Sequence, residues 1–281
     1  MHGNWECGII VSHDVDHLYS SDHWFRDLIY PKMWVRTTLN LLGKKITGRE
    51  WWLRNCSCFR RDRHNIEKQI RFDQEHGIKS TFFFGMNQGL GMSYKPHEAR
   101  SMIEFVHQSG FPVGVHGIDF QSTKGMKNEM SQFKEMMGFN PCGIRMHYVR
   151  FDDTTFPKLS KIGYVFDATE FDKTTRGTRK NPYKVGNMWE FPLSIMDSYL
   201  SYNILEAKEQ TLEILKECKE KELKYISVLF HDYQFCDDYK EIRDWYIWLM
   251  ELFSKSPIYR FVSYDEAIME MERAEGKNKE R

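Results

Sequence analysis

Four short stretches carry side chains able to hold a metal ion and move protons. They are Ser12-His13-Asp14-Val15-Asp16-His17, His116-Gly117-Ile118-Asp119, Arg145-Met146-His147-Tyr148 and His231-Asp232. Asp and His supply oxygen and nitrogen donors, a set that suits Zn2+ first and Fe2+ or Co2+ next. Three protein ligands leave one position for water, whose pKa falls toward ~7 on the metal while a carbonyl is polarised. A second carboxylate can take the proton, and an imidazole on the other side can protonate a departing amine or alkoxide. A fixed arginine can orient the carboxylate. Each residue alone has an ordinary use. A histidine after a strand is usually hydrogen-bonded in its loop, Asp14 could cap a helix, and Arg145 could form a surface ion pair. Their recurrence at matching positions points to function.

Those positions are set by the elements before them. Strand-like runs fall at 9–11, 80–84, 112–115, 143–146, 164–167, 188–192, 225–230 and 259–262. Helical patterns fall at 66–76, 96–109, 124–137, 156–162, 204–221, 241–253 and 264–273, several stopped by glycine. The helix at 204–221 places Leu205, Leu212 and Leu215 on one face. Residues 21–63 break the alternation with Trp24, Trp34, Trp51 and Trp52 among basic residues, and read as a helical insertion. Repeated strand–helix units predict an α/β fold, a parallel sheet with helices outside, closing into a barrel within one domain over 1–281. In such barrels catalytic groups gather at the carboxyl ends of the strands, where all four stretches lie.

Composition narrows the classes. The chain has 281 residues, 41% hydrophobic, enough for one large core. Its 40 basic and 40 acidic residues give no overall footprint of a nucleic-acid binder. The basic run Arg60-Arg61-Asp62-Arg63 reads as a solvated loop. The cysteines Cys7, Cys56, Cys58, Cys142, Cys218 and Cys236 lack the paired spacing of a zinc site and read as reduced thiols. No basic-then-apolar leader and no apolar run of membrane-spanning length is visible, so a cytoplasmic protein without a transmembrane segment is expected.

The ordered set of motifs resembles the polysaccharide deacetylase superfamily (NodB-type, carbohydrate esterase family 4), in a divergent branch with a His-Asp-Val-Asp first motif. The matching stretches are Val11 to Asp16, Ser80 to Phe84, Val113 to Gly117, Gly143 to Phe151, Glu190 to Leu193, Met196-Asp197 and Leu229 to His231. The resemblance implies a deformed (β/α)7 barrel and one divalent metal. It implies Asp14 as catalytic base and Asp16 as metal ligand, with the reverse assignment open. It implies His116 as a ligand, Arg145 as the arginine orienting the base, Tyr148 as a backbone oxyanion donor and His231 as general acid. One departure matters: relatives carry a second histidine four residues after the first, and here that residue is Phe120. The third ligand is then His147, where many relatives have proline, or else Asp119; failing both, the metal is lost.

The same resemblance implies an acetylated sugar or oligosaccharide as substrate, amide or ester, in assembly of a cell-surface polysaccharide, with a nucleotide- or lipid-linked sugar expected. Arg150, Arg176 and Asp197 are read as substrate-binding residues; Asp197 could instead steer His231. Trp24 and Trp189 could stack on a sugar, although core packing is their commoner use. Two other readings stay open: hydrolysis of non-peptide C–N bonds in a small cyclic amide, and a degenerate sugar-binding module.

Overall fold

The computed structural model describes residues 5–25 and 28–279. Among them, ten strands form one sheet: β1 (Cys7–Val15), β2 (Thr81–Gly85), β3 (Val113–Gly117), β4 (Ile144–Met146), β5 (Phe166–Asp167), β6 (Tyr183–Val185), β7 (Met188–Glu190), β8 (Leu193–Met196), β9 (Tyr225–Leu229) and β10 (Tyr259–Phe261). The helices are α1 (Asp22–Phe25), α2 (Ile29–Leu42), α3 (Gly48–Cys56), α4 (Ile66–Glu75), α5 (Pro96–Gln108), α6 (Thr123–Met137), α7 (Thr155–Ile162), α8 (Ile204–Glu220), α9 (Lys240–Lys255) and α10 (Tyr264–Lys279). The strand order is β6-β7-β5-β4-β3-β2-β1-β9-β8, all pairs parallel except β6 with β7. This is the expected deformed α/β barrel. β8 meets the segment that follows β5 through single bonds rather than a ladder: Leu193 N–H donates to Glu170 O at 2.8 Å, and Thr178 N–H donates to Leu193 O at 2.8 Å.

β1 explains the layout of the interior. It is buried along its whole length, so both of its faces are covered. Gly8–Ser12 pairs with β9, Ser12–Val15 with β2, and Cys7–Ile9 with β10. Side chains alternate along a strand. Ile10 accordingly faces inward against Phe83, Phe166, Phe191 and Tyr264, whereas Ile9 and Val11 face outward against Ile214, Trp245 and Leu249. Ser12, Asp14 and Asp16 continue the inward row above that aromatic floor. His13 belongs to the outward row: its ring nitrogens lie 3.0 Å from Phe230 O and 3.0 Å from Asp73 Oδ2, tying β1 to α4. Gly114 on β3 makes room for the floor, since a Cβ there would meet the Phe83 ring at 2.7 Å.

Two sequence readings need correction. The strand expected at 188–192 is β7, which ends at Glu190 and pairs with β5; a second strand that the sequence reading lacks, β8, begins directly after Pro192 and pairs with β9. That crossing delivers Asp197 beside the end of β9. On α8, Leu205 and Leu212 are 67% and 48% exposed. The buried face is Ala207, Thr211, Ile214, Leu215 and Cys218. Its small residues admit Trp245, whose indole N–H donates to Thr211 Oγ1 at 2.9 Å.

Asp167 and Glu190 sit opposite each other on β5 and β7, both fully buried. Burial pushes the Asp167 carboxyl up to about 6. Burial, then the Asp167 charge beside it, pushes Glu190 well above the usual carboxylate range. The folded pair therefore holds a proton that the unfolded chain releases at about 4. Its stabilising contribution is complete below that pH and is lost as pH rises through about 6 and beyond. Glu190→Gln keeps a hydrogen in place at every pH. Its melting temperature is expected to fall less than that of the wild type between pH 6 and 9, by on the order of 2–4 °C. Equal losses in both proteins would refute the shared proton.

Candidate active site

The carboxyl ends of β1, β3, β4 and β9 bring the four sequence stretches together. His116 lies on β3 opposite Arg145 on β4. His147 opens a 3-10 turn after β4, and His231 follows β9 by two residues. The ring of His116 places Nδ1 3.0 Å from the Arg145 carbonyl, and the ring of His147 places Nε2 3.2 Å from the Leu90 carbonyl. A carbonyl only accepts, so those nitrogens carry the ring protons and the other two present lone pairs. His116 Nε2 and His147 Nδ1 are 3.0 Å apart, and Asp16 Oδ1 is 3.3 Å from each. Asp16 Oδ1 is buried without a hydrogen-bond partner. Three facing donors of electron pairs call for a cation between them. Ligands ~2.0–2.1 Å from a tetrahedral zinc are ~3.3 Å apart, so the trio fits a divalent ion. All three ligand atoms lie within 4.8 Å of one another.

The electrostatics agree. Burial opposes ionisation of Asp16, yet His147, His116 and His231 together hold its carboxyl well below the ordinary range. Burial pulls His147 down, and the Asp16 carboxylate outweighs it, leaving the imidazole raised. The pocket thus attracts positive charge to one point.

Two polar assemblies flank that point. On one side the buried Arg145 donates from NH1 to Asp14 Oδ1 at 3.0 Å, from NH2 to Ser12 Oγ at 2.8 Å and Tyr264 OH at 3.0 Å, and from Nε to Ala168 O at 2.8 Å. This leaves Asp14 Oδ2 facing the centre, 3.6 Å from His116 Nε2. On the other side the Asp197 oxygens lie 2.8 and 3.0 Å from His231 Nδ1. The His231 and Gln234 N–H groups and the Ser198 hydroxyl also donate to Asp197. His231 Nε2 points back at the centre, 3.7 Å from Asp16 Oδ2. Burial lowers the His231 pKa, but Asp197, then Asp16 and Asp14, push it up to about 10. The backbone of Tyr148 and Val149 turns beneath the site with φ of 58° and 46°. A left-handed β-branched residue is strained, by ~1–3 kcal/mol, and such strain clusters at functional sites.

No family model and no curated protein matches the sequence. Among solved structures, a protein described as a polysaccharide deacetylase from Mycobacterium smegmatis aligns with a TM-score of 0.63 at 15% identity, over 98% of this chain and 93% of that one. One described likewise from Pseudomonas aeruginosa PAO1 gives 0.55 at 13% identity, over 73% of this chain and 71% of that one. An allantoinase gives 0.57 at 12% identity, over 95% and 90%. The chain has the polysaccharide deacetylase fold.

Within this polysaccharide deacetylase fold, Asp14, Asp16, His116, Arg145, His147 and His231 meet at one centre, with the Tyr148 turn beside it. Asp119 does not join them: its Oδ1 accepts from Ser122 N–H at 3.2 Å before α6. Asp197 is not an open sugar-binding carboxylate; it is buried and its oxygens are taken by His231 and its neighbours. Arg150 turns away from the cleft, donating to His147 O at 3.3 Å and Ile118 O at 2.7 Å over the Phe120 ring. Arg176 is exposed on a loop curled by Asp172, and Lys173 of that loop lines the cleft instead. Trp189 is core and Trp24 packs on Tyr30 and Trp34. The sequence reading missed Ser12, Tyr264 and Leu90. Ser12 was legible as the residue two before Asp14 on the same strand face; Tyr264 and Leu90 carry no local signal. The cysteines are all free, and no described helix is long and apolar enough to cross a membrane.

Proposed function

We propose that this protein is a metal-dependent hydrolase that removes an acetyl group from a sugar or oligosaccharide, in the assembly of a cell-surface polysaccharide in the cytoplasm. The observation that carries the reading is the Asp16–His116–His147 trio, tautomers fixed, set between an arginine-held carboxylate and an aspartate-held imidazole. Asp16, His116 and His147 would hold one divalent ion, Zn2+ by preference for the N2O donor set, with Fe2+ or Co2+ next. Such an ion, when bound, polarises the acetyl carbonyl and eases ionisation of water.

The chain supplies the proton transfers. Arg145 fixes Asp14 Oδ1, so Oδ2 is the atom that accepts a proton from the attacking water. The new bond is C–O to the acetyl carbon; the bond broken is C–N or C–O to the sugar. His231 Nε2–H gives its proton to the departing nitrogen or oxygen. Asp197 holds the ring through Nδ1 and keeps it charged. The Tyr148 N–H is assigned to the developing oxyanion. The cleft around the centre measures about 970 Å³, at the upper end for a small-molecule site and ample for a glycosidic unit with a substituent. The setting in polysaccharide assembly rests on likeness of fold.

The test is acetate release from a panel of N- and O-acetylated sugars by Zn2+-loaded protein, with allantoin as comparison. Acetate from at least one sugar and none of the ureide hydrolysed is expected. Turnover of allantoin without any acetate release would move the activity to cyclic amides.

A further inference from the structure

The cleft carries a second set of groups that acetyl hydrolysis does not use. Residues 28–63 hold nine Lys and Arg against two Asp and Glu, in a chain whose totals balance at 40 each. Three of these arginines, Arg36 of α2, Arg54 of α3 and Arg63, line the cleft wall with Tyr202, Tyr233 and Tyr239. Two acids beside this wall, Glu50 and Asp238, are already engaged. Glu50 closes the capping box of α3 and faces Arg54 at 3.4 Å. Asp238 is gripped through both oxygens by Arg60 at 2.9 and 2.8 Å. Arg63 lies over the rings of Tyr30 and Tyr233, 5.4 and 5.8 Å from their centres. Its other contacts are long, to Ser57 Oγ at 3.5 Å and Met33 Sδ at 3.8 Å. Its Nε is buried with no partner. Arg36 donates to Tyr202 OH at 2.5 Å. Among the described residues neither Arg36 nor Arg63 has a carboxylate within ion-pair distance.

The half-buried guanidinium of Arg63, with no carboxylate beside it among the described residues, is costly, and the planar fork that Arg63 and Arg36 each carry matches phosphate oxygens. We propose that Arg36 and Arg63 form a subsite for a phosphate group, so that the acetylated sugar processed at the Asp–His centre is phosphate-linked. The identity of the sugar rests on the deacetylase reading; the anion subsite does not. The phosphate could belong to a nucleotide or to a lipid carrier. For the latter, the outer side of α2 presents Val35, Leu39 and Leu42 exposed to solvent.

Titration of the full chain with inorganic pyrophosphate, followed by calorimetry, tests the subsite. Wild-type protein is expected to bind. Arg36→Gln, a surface change, and Arg63→Met, which keeps an apolar stem against the tyrosines, are each expected to weaken binding ~10–100-fold. Equal binding in all three proteins, as an anion held only at the Asp–His centre would give, overturns the proposal; so does absence of binding to wild type. Uridine diphosphate binding with the same sensitivity supports a nucleotide source. Sedimentation with phosphatidylcholine vesicles only when they contain phosphatidic acid, lost in both variants, supports a lipid source. No turnover is read in these measurements. Failure of acetate release therefore defeats the hydrolase reading alone, and failure of anion binding defeats the subsite alone.

Discussion

Asp14→Asn is expected to lower kcat for acetate release by about 10²–10⁴-fold, the range for loss of a positioned general base, while the amount of bound metal stays that of the wild type. The amide preserves size and can still accept from Arg145, but it cannot take up the proton of water. The split between turnover and metal content separates Asp14 from Asp16, two residues along the same strand face. Asp14 Oδ1 is held by Arg145, whereas Asp16 Oδ1 faces two imidazole lone pairs with no donor of its own. Arg145 keeps Ser12, Tyr264 and Ala168 as partners in the variant, yet it loses a buried counter-charge. A lower melting temperature is expected too, so rates are compared well below the transition of either protein. Wild-type kcat in Asp14→Asn would remove Asp14 from the reaction. Loss of the metal together with the rate would make Asp14 the ligand.

Much of this arrangement was legible from residue order. The alternation along β1 puts Asp14 and Asp16 on one row and His13 on the other. The departure at Phe120 forces a search for another donor, and His147 was found by its place after Arg145. What misled were charges judged by type alone. Arg150 follows Tyr148 closely and Arg176 stands in a polar loop after Asp172, but backbone turns send one onto carbonyls and the other into solvent. The run Arg60-Arg61-Asp62-Arg63 reads as a solvated loop, yet Arg60 grips Asp238 and Arg63 lies over tyrosine rings. Asp238 sits 178 residues along the chain from Arg60, a distance no local pattern reports. The seam was hidden for a similar reason. The expected strand stops at Pro192, the four residues of β8 that follow are too short a run to stand out, and only the pairing of β8 with β9 reveals the crossing that sets Asp197 under His231.

Elemental analysis of protein purified without chelator, and again after addition of equimolar Zn2+, addresses the cation centre itself. Wild type and Asp119→Ala are expected to carry roughly one divalent ion per chain. His147→Ala, folded by circular dichroism, is expected to carry almost none. Wild-type protein that neither brings an ion nor takes one up, or His147→Ala that holds as much as wild type, would contradict the three-residue site.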